Sequence, residues 1–118
     1  MNSKKTFCII GMGYIGLPTA CVIADSGFRV FGFDTNKRVV DSINKALPHI
    51  VEPGLLEILK KVHKQGLISA HTEIKPADVF IITVPSPVNE DSNRIPKPNI
   101  DFIIQAANDI GSVVKEGD

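Results

Sequence analysis

Near the start of the chain, Gly11-Met12-Gly13-Tyr14-Ile15-Gly16 sets three glycines in the spacing GxGxxG. Bare backbone at that spacing suits one chemistry above others: a phosphate drawn close to main-chain N–H donors. Gly11 would let the chain turn tightly. Gly13 would clear a side chain from the path of a diphosphate, and Gly16 would let a following helix pack closely. The N–H groups near Tyr14 and Ile15 would face the phosphates, with the positive end of the helix dipole behind them. A plain strand-to-helix turn competes with this reading, but one glycine suffices for that.

The second residue with chemical promise is Asp34. A carboxylate there can accept hydrogen bonds from both hydroxyls of an adenosine ribose, and it repels a phosphate at the 2′ position. Two like charges about 4 Å apart cost roughly 1 kcal/mol in water and roughly 4 kcal/mol near a protein surface. The cofactor expected is therefore NAD in preference to NADP. Lys37 and Arg38 oppose that preference, because a nearby arginine accommodates a 2′-phosphate. A helix cap or a solvated turn residue is the competing role for Asp34. Ser86 is the third candidate. Thr83-Val84-Pro85-Ser86-Pro87 is rigid and poor in N–H groups, so Pro85 can lie against a cofactor while Ser86 offers a hydroxyl. A simple strand terminator is the alternative.

These residues need elements to hold them. Thr6 to Ile10 is a short apolar run without helical period, read as a buried strand. A helix is predicted from about Tyr14 to Ser26, with Leu17, Ala20, Cys21 and Ala24 on one face and Gly27 ending it. Pro18 is tolerable in a first turn, whose N–H groups lack intrahelical partners. Arg29 to Phe33 is the second strand, closed by Asp34. A helix from about Asn36 would pack through Val39, Val40, Ile43 and Leu47 until Pro48 stops it. His49 to Pro53 is a loop. Pro53 is placed to start another helix, whose stripe is Leu55, Leu56, Leu59 and Val62 and whose end is Gly66. Ile68 to His71 is a weak strand and Asp78 to Val84 a strong one. Val88 to Pro98 reads as a loop. Asn99 would cap a last helix with Ile100, Ile103, Ile104, Ala107, Ile110 and Val114 facing inward.

Strands alternating with helices call for a parallel sheet with right-handed crossovers. The expected fold is a Rossmann-type α/β sheet of strand order 3-2-1-4 with helices on both faces. Residues 1–118 form one domain in this reading. A complete fold of this type has about six strands, so the chain is expected to be the front piece of a longer enzyme.

Composition narrows the partners. The chain has 118 residues, 43% hydrophobic and 22% charged, with a formal net charge of +0. Those values suit a folded domain and argue against nucleic acid, which needs surplus Lys and Arg. The uncharged stretch from Thr6 to Ala24 is broken by Gly11, Gly13, Gly16 and Pro18, which argues against a membrane span or a signal peptide. Cys8 and Cys21 read as reduced core thiols, in keeping with a cytoplasmic protein. His49, His63 and His71 share no metal-ligand spacing and receive no role, and no metal is expected. Glu52 reads as a solvated loop carboxylate.

The segments GMGYIGLPTA, FGFDTNKRVVDSIN, HIVEPGL and IITVPSP together resemble the N-terminal domain of the UDP-glucose/GDP-mannose dehydrogenase family, over Thr6 to Asp118. HIVEPGL resembles the UDP-N-acetyl-D-mannosamine dehydrogenase branch. The resemblance implies oxidation of the primary alcohol of a UDP-sugar to a carboxylate with two NAD. It implies cofactor contacts at Gly11, Gly13, Tyr14, Ile15, Asp34 and Ser86. A basic residue often lies five places after the acid in this family. That place is Val39 here, and Arg38 stands one earlier. The family's catalytic cysteine, lysine and glutamate match nothing in this chain, so no catalytic residue is expected. The UDP-sugar would be met only through a C-terminal part beyond Asp118, and the parent would be a homodimer or larger. Two other classes stay open: an NAD-sensing regulatory module, and another NAD-dependent hydroxyacid or hydroxyacyl dehydrogenase. The former lack a VPSP segment and a proline in the first helix.

Overall fold

The computed structural model describes residues 4–90 and 93–118. Its sheet runs β3-β2-β1-β4, all parallel, from β1 (Thr6–Ile10), β2 (Arg29–Phe33), β3 (Ile68–His71) and β4 (Val79–Ile82). This is the expected Rossmann-type order. β1 lies in the centre, with Phe7 opposite Val30 on one side and Val79 on the other. The helices are α1 (Gly16–Asp25), α2 (Lys37–Asn44), α3 (Leu55–Lys64) and α4 (Asp101–Gly111).

Side chains alternate across a strand, so β1 feeds two cores. Ile9 joins Val30, Ile68 and Ala70 under α1, α2 and α3, packed by Leu17, Ala20, Cys21, Ala24, Val40, Ile43, Leu55, Leu59 and Val62. Cys8 and Ile10 join Phe33, Ala77 and Ala106 on the opposite face, where among the described residues α4 is the one helix. Both cysteines are buried and free. Burial pushes each thiol up to about 11, partly offset at Cys8 by the backbone N–H of Lys75. Neither is a ready nucleophile.

Local chemistry sets the helix limits. α1 starts at Gly16, two residues later than expected, although Leu17 N–H already reaches Gly13 C=O at 3.1 Å. Asn36 caps α2 by accepting from the Arg38 N–H at 3.0 Å. That helix ends at Asn44, before Pro48 is reached. Ala46 takes φ 57 and the N–H of Leu47 bonds back to Ser42, a Schellman-type close. Leu47 is therefore thrown outward, 52% exposed, and does not pack as the sequence predicts. The Asn44 carboxamide then pairs with both backbone groups of Ala70, each at 2.9 Å. It stands in for a neighbouring strand at the free edge of β3. Gly54, not Pro53, holds the N-cap of α3, and Leu56 is exposed.

Two expectations fail on the later part of the chain. Val88–Glu90 (β5) and Pro96–Pro98 (β6) pair antiparallel where a loop was predicted. α4 buries only Ala106 and half-buries Ile110. Ile100, Ile103, Ile104 and Val114 are exposed, as is Ala107. Their spacing does make an apolar stripe, but the described residues supply no surface to cover it. Asn99 accepts from the Asp101 N–H at 2.9 Å, so it holds the first turn as predicted, though Ile100 occupies the N-cap itself.

Candidate cofactor site

The carboxyl ends of β1, β2 and β4 open into one cleft of about 680 Å3, a size typical of ligand sites. Its position follows from topology. β1 leads to β2 on one side, while the chain later returns as β4 on the other, and ligands bind at such switch points. Gly11, Gly13, Tyr14 and Ile15 line it from the turn, Asp34 from β2, and Pro85 and Ser86 from the end of β4. These predicted residues are thus brought together.

The glycines divide the work as their positions demand. Gly11 has φ +93, a conformation that strains any residue with a Cβ. A Cβ on Gly16 would run into the carbonyl oxygen of Gly11 and lie 2.7 Å from the Thr83 hydroxyl. Gly16 is buried beneath the turn and does not line the cleft; its role is to seat α1. A Cβ on Gly13 would meet nothing within 4 Å. Space stands open there, where a diphosphate would approach. Among the described residues, no acceptor takes the N–H groups of Gly13, Tyr14 or Ile15. Donors at the start of a ten-residue helix, with room before them, fit the phosphates of a dinucleotide.

Asp34 does more than sequence reasoning assigned to it. One carboxylate oxygen accepts from the Met12 N–H at 3.0 Å and the other from the Asn36 N–H at 2.9 Å. The acid therefore clamps the glycine turn to the end of β2, while the Gly11 N–H reaches Phe33 C=O at 2.8 Å. Each carboxylate oxygen retains a further acceptor position, and Asp34 remains half-exposed in the cleft wall. Thr83 clamps the other side. Its hydroxyl lies 3.0 Å from Ile10 C=O and 2.7 Å from Gly11 C=O. Met12 is fully buried and packs over Gly32, where a Cβ would collide with its sulfur.

Arg38 does not line the cleft. Its α2 neighbour Val39 does, because one helical step turns the arginine outward, where it is exposed. The lining also includes His49, Phe102, Gln105 and Asp109, to which the sequence assigns no site role. The spacing 102, 105, 106, 109 marks one stripe of α4. It is polar at two places, Gln105 and Asp109, so hydropathy favours the neighbouring isoleucines. Among the described residues no cluster of metal ligands occurs, and no helix is long and apolar enough to cross a membrane.

Residues 5–118 match the NAD binding domain of the UDP-glucose/GDP-mannose dehydrogenase family. The chain belongs to that family. Its cofactor is NAD. Over 117 residues, 99% of this chain, it is 44% identical to a UDP-N-acetyl-D-mannosamine dehydrogenase of Campylobacter jejuni, spanning 28% of that protein. The UDP-N-acetyl-mannosamine dehydrogenase structure from Staphylococcus aureus superposes with a TM-score of 0.88 at 35% identity, covering 96% of this chain and 27% of that one. A GDP-mannose dehydrogenase from Pseudomonas aeruginosa superposes with a TM-score of 0.81 at 29% identity, covering 93% and 25%. The chain thus spans about a quarter of the length of these relatives.

Proposed function

We propose that this domain holds NAD for a nucleotide-sugar dehydrogenase whose substrate is UDP-N-acetyl-D-mannosamine. The observation that carries the cofactor part is the opening at Gly13, with free N–H groups around it and the Asp34 carboxylate in the same cleft wall. In this reading the N–H groups of Gly13, Tyr14 and Ile15 hold the diphosphate. Asp34 takes the adenosine ribose with its remaining acceptor positions. Pro85 and Ser86 border the half of the cofactor that lies toward β4. Bound NAD supplies the hydride acceptor, and two NAD per sugar carry an alcohol to a carboxylate. The sugar assignment rests on the relatives' names and on HIVEPGL. The catalytic groups and the sugar-binding part belong to the remaining length of such proteins, so the domain alone binds NAD without turning over UDP-sugars. Assembly of the whole protein as a homodimer or larger, in the cytoplasm, belongs to the same proposal.

Calorimetric titration tests this. The wild-type chain should bind NAD more tightly than NADP. Asp34→Ala should weaken NAD about tenfold, the order expected when a charged hydrogen-bond acceptor is lost, and should narrow the gap to NADP. An unchanged preference would remove Asp34 from the ribose site.

A further inference from the structure

The stretch HIVEPGL is explained by packing almost throughout. Ile50 and Leu55 are buried in the larger core, Gly54 supplies the left-handed N-cap of α3, and the Glu52 C=O accepts from the Leu55 N–H. Val51 is fully exposed and Glu52 does not line the cleft. His49 is the one member of the stretch that does. Its neighbour Ile50 is 6% exposed, and that anchor holds the loop so that an aromatic ring borders the cleft.

The loop joins α2 to α3, which lie on the same face of the sheet as α1. It sits on the β2 side of the switch point, with Asp34, Thr35, Asn36 and Val39 as fellow lining residues. The end of β4, with Pro85 and Ser86, is on the other side of β1. A dinucleotide whose diphosphate lies at the turn and whose ribose lies at Asp34 must place its base beyond Asp34, on the side of Val39 and His49. Flat aromatic faces stack on nucleobases. We infer that His49 is a positioning residue for the adenine of the cofactor, its imidazole face packing on the base opposite Val39. This rests on the cofactor reading above.

The test compares NAD with ADP-ribose, which keeps the adenosine and lacks the nicotinamide. His49→Ala in the full chain should raise Kd for both ligands by the same factor, about fivefold or more, the low end of what a stacked base contributes. His49→Phe, which keeps a flat ring and no ring nitrogen, should restore both. Thermal melts of the two variants should match the wild type, since His49 is exposed. A loss confined to NAD, an unaltered Kd in His49→Ala, or no recovery in His49→Phe would overturn the inference while leaving the cofactor site intact. Failure of the wild type to bind either ligand would overturn both.

Discussion

The two faces of the sheet are built from the same four strands and end up unequally protected. Under α1, α2 and α3, alternate strand residues meet helices that each present several buried apolar side chains. On the reverse face one helix contributes a single buried alanine, and β4 is half-buried at best, with Ile82 38% exposed. The difference lies in how many helices cover each face, and β3 follows it: Ile68 and Ala70 face the covered side, while Ser69 and His71 face the other and pair with each other at 2.9 Å. The cleft sits where the two faces meet, with α1 on its well-packed side and the α4 stripe on the other.

Substitutions in the two layers should break or sharpen that contrast. The largest effect is expected at Leu59, fully buried in the thick layer: Leu59→Ala should cost about 2–5 kcal/mol in denaturant unfolding. Ile103→Ala on α4, where the side chain is 39% exposed, should cost no more than about 0.5 kcal/mol. Equal losses would mean that the thin layer is as well packed as the thick one. A smaller and more local difference is expected between the thiols. Both are fully buried, Cys21 in the thick layer and Cys8 in the thin one. Labelling under native conditions, followed by mass spectrometry, should modify Cys8 about tenfold faster, as expected if α4 opens at lower cost than α1. Faster labelling of Cys21 would reverse the assignment of the weaker layer.

The smallest effect lies at the far end of the sheet from the cleft, where β1 and β4 are tied together. The Asp78 carboxylate accepts from the Thr6 N–H at 2.8 Å and from its hydroxyl at 3.0 Å. Those bonds hold the Asp78 carboxyl below its ordinary value; desolvation opposes them, and Lys5 and Lys115 add lesser help. A depressed carboxyl stabilises the fold above the unfolded-state value, about pH 4. That contribution fades as pH falls through the lower folded-state value. Asp78→Asn should therefore be less stable than wild type at pH 7, with the gap closing below about pH 4. A gap independent of pH would assign the bond's effect to shape alone.

The strands and the glycine turn were legible because their signals are local: β-branched apolar runs, and glycines where the backbone must bend or yield. Cys21, Leu17 and Ala24 could be placed in the core from one helical period. The stripe of isoleucines on α4 could not, because periodicity reveals an apolar face without revealing what meets it. Pro96 and Pro98 hid β6, since proline argues against a strand, yet at the edge of a two-stranded ribbon it is tolerated. His49, Gln105 and Asp109 reach the cleft only by tertiary arrangement, and no spacing announces that. Arg38 is the opposite case: a single helical step, which spacing alone does not resolve, leaves it outside the cleft lining.

The two backbone bonds of Asp34 carry a lesson for redesign. A protein engineer seeking to convert the domain to the phosphorylated cofactor would ordinarily begin by neutralising this acid. Here that change also unfastens Met12 and Asn36, so it would loosen the phosphate cradle in the same stroke. Reprogramming cofactor choice therefore requires a compensating acceptor for those amides, installed together with the new cationic partner.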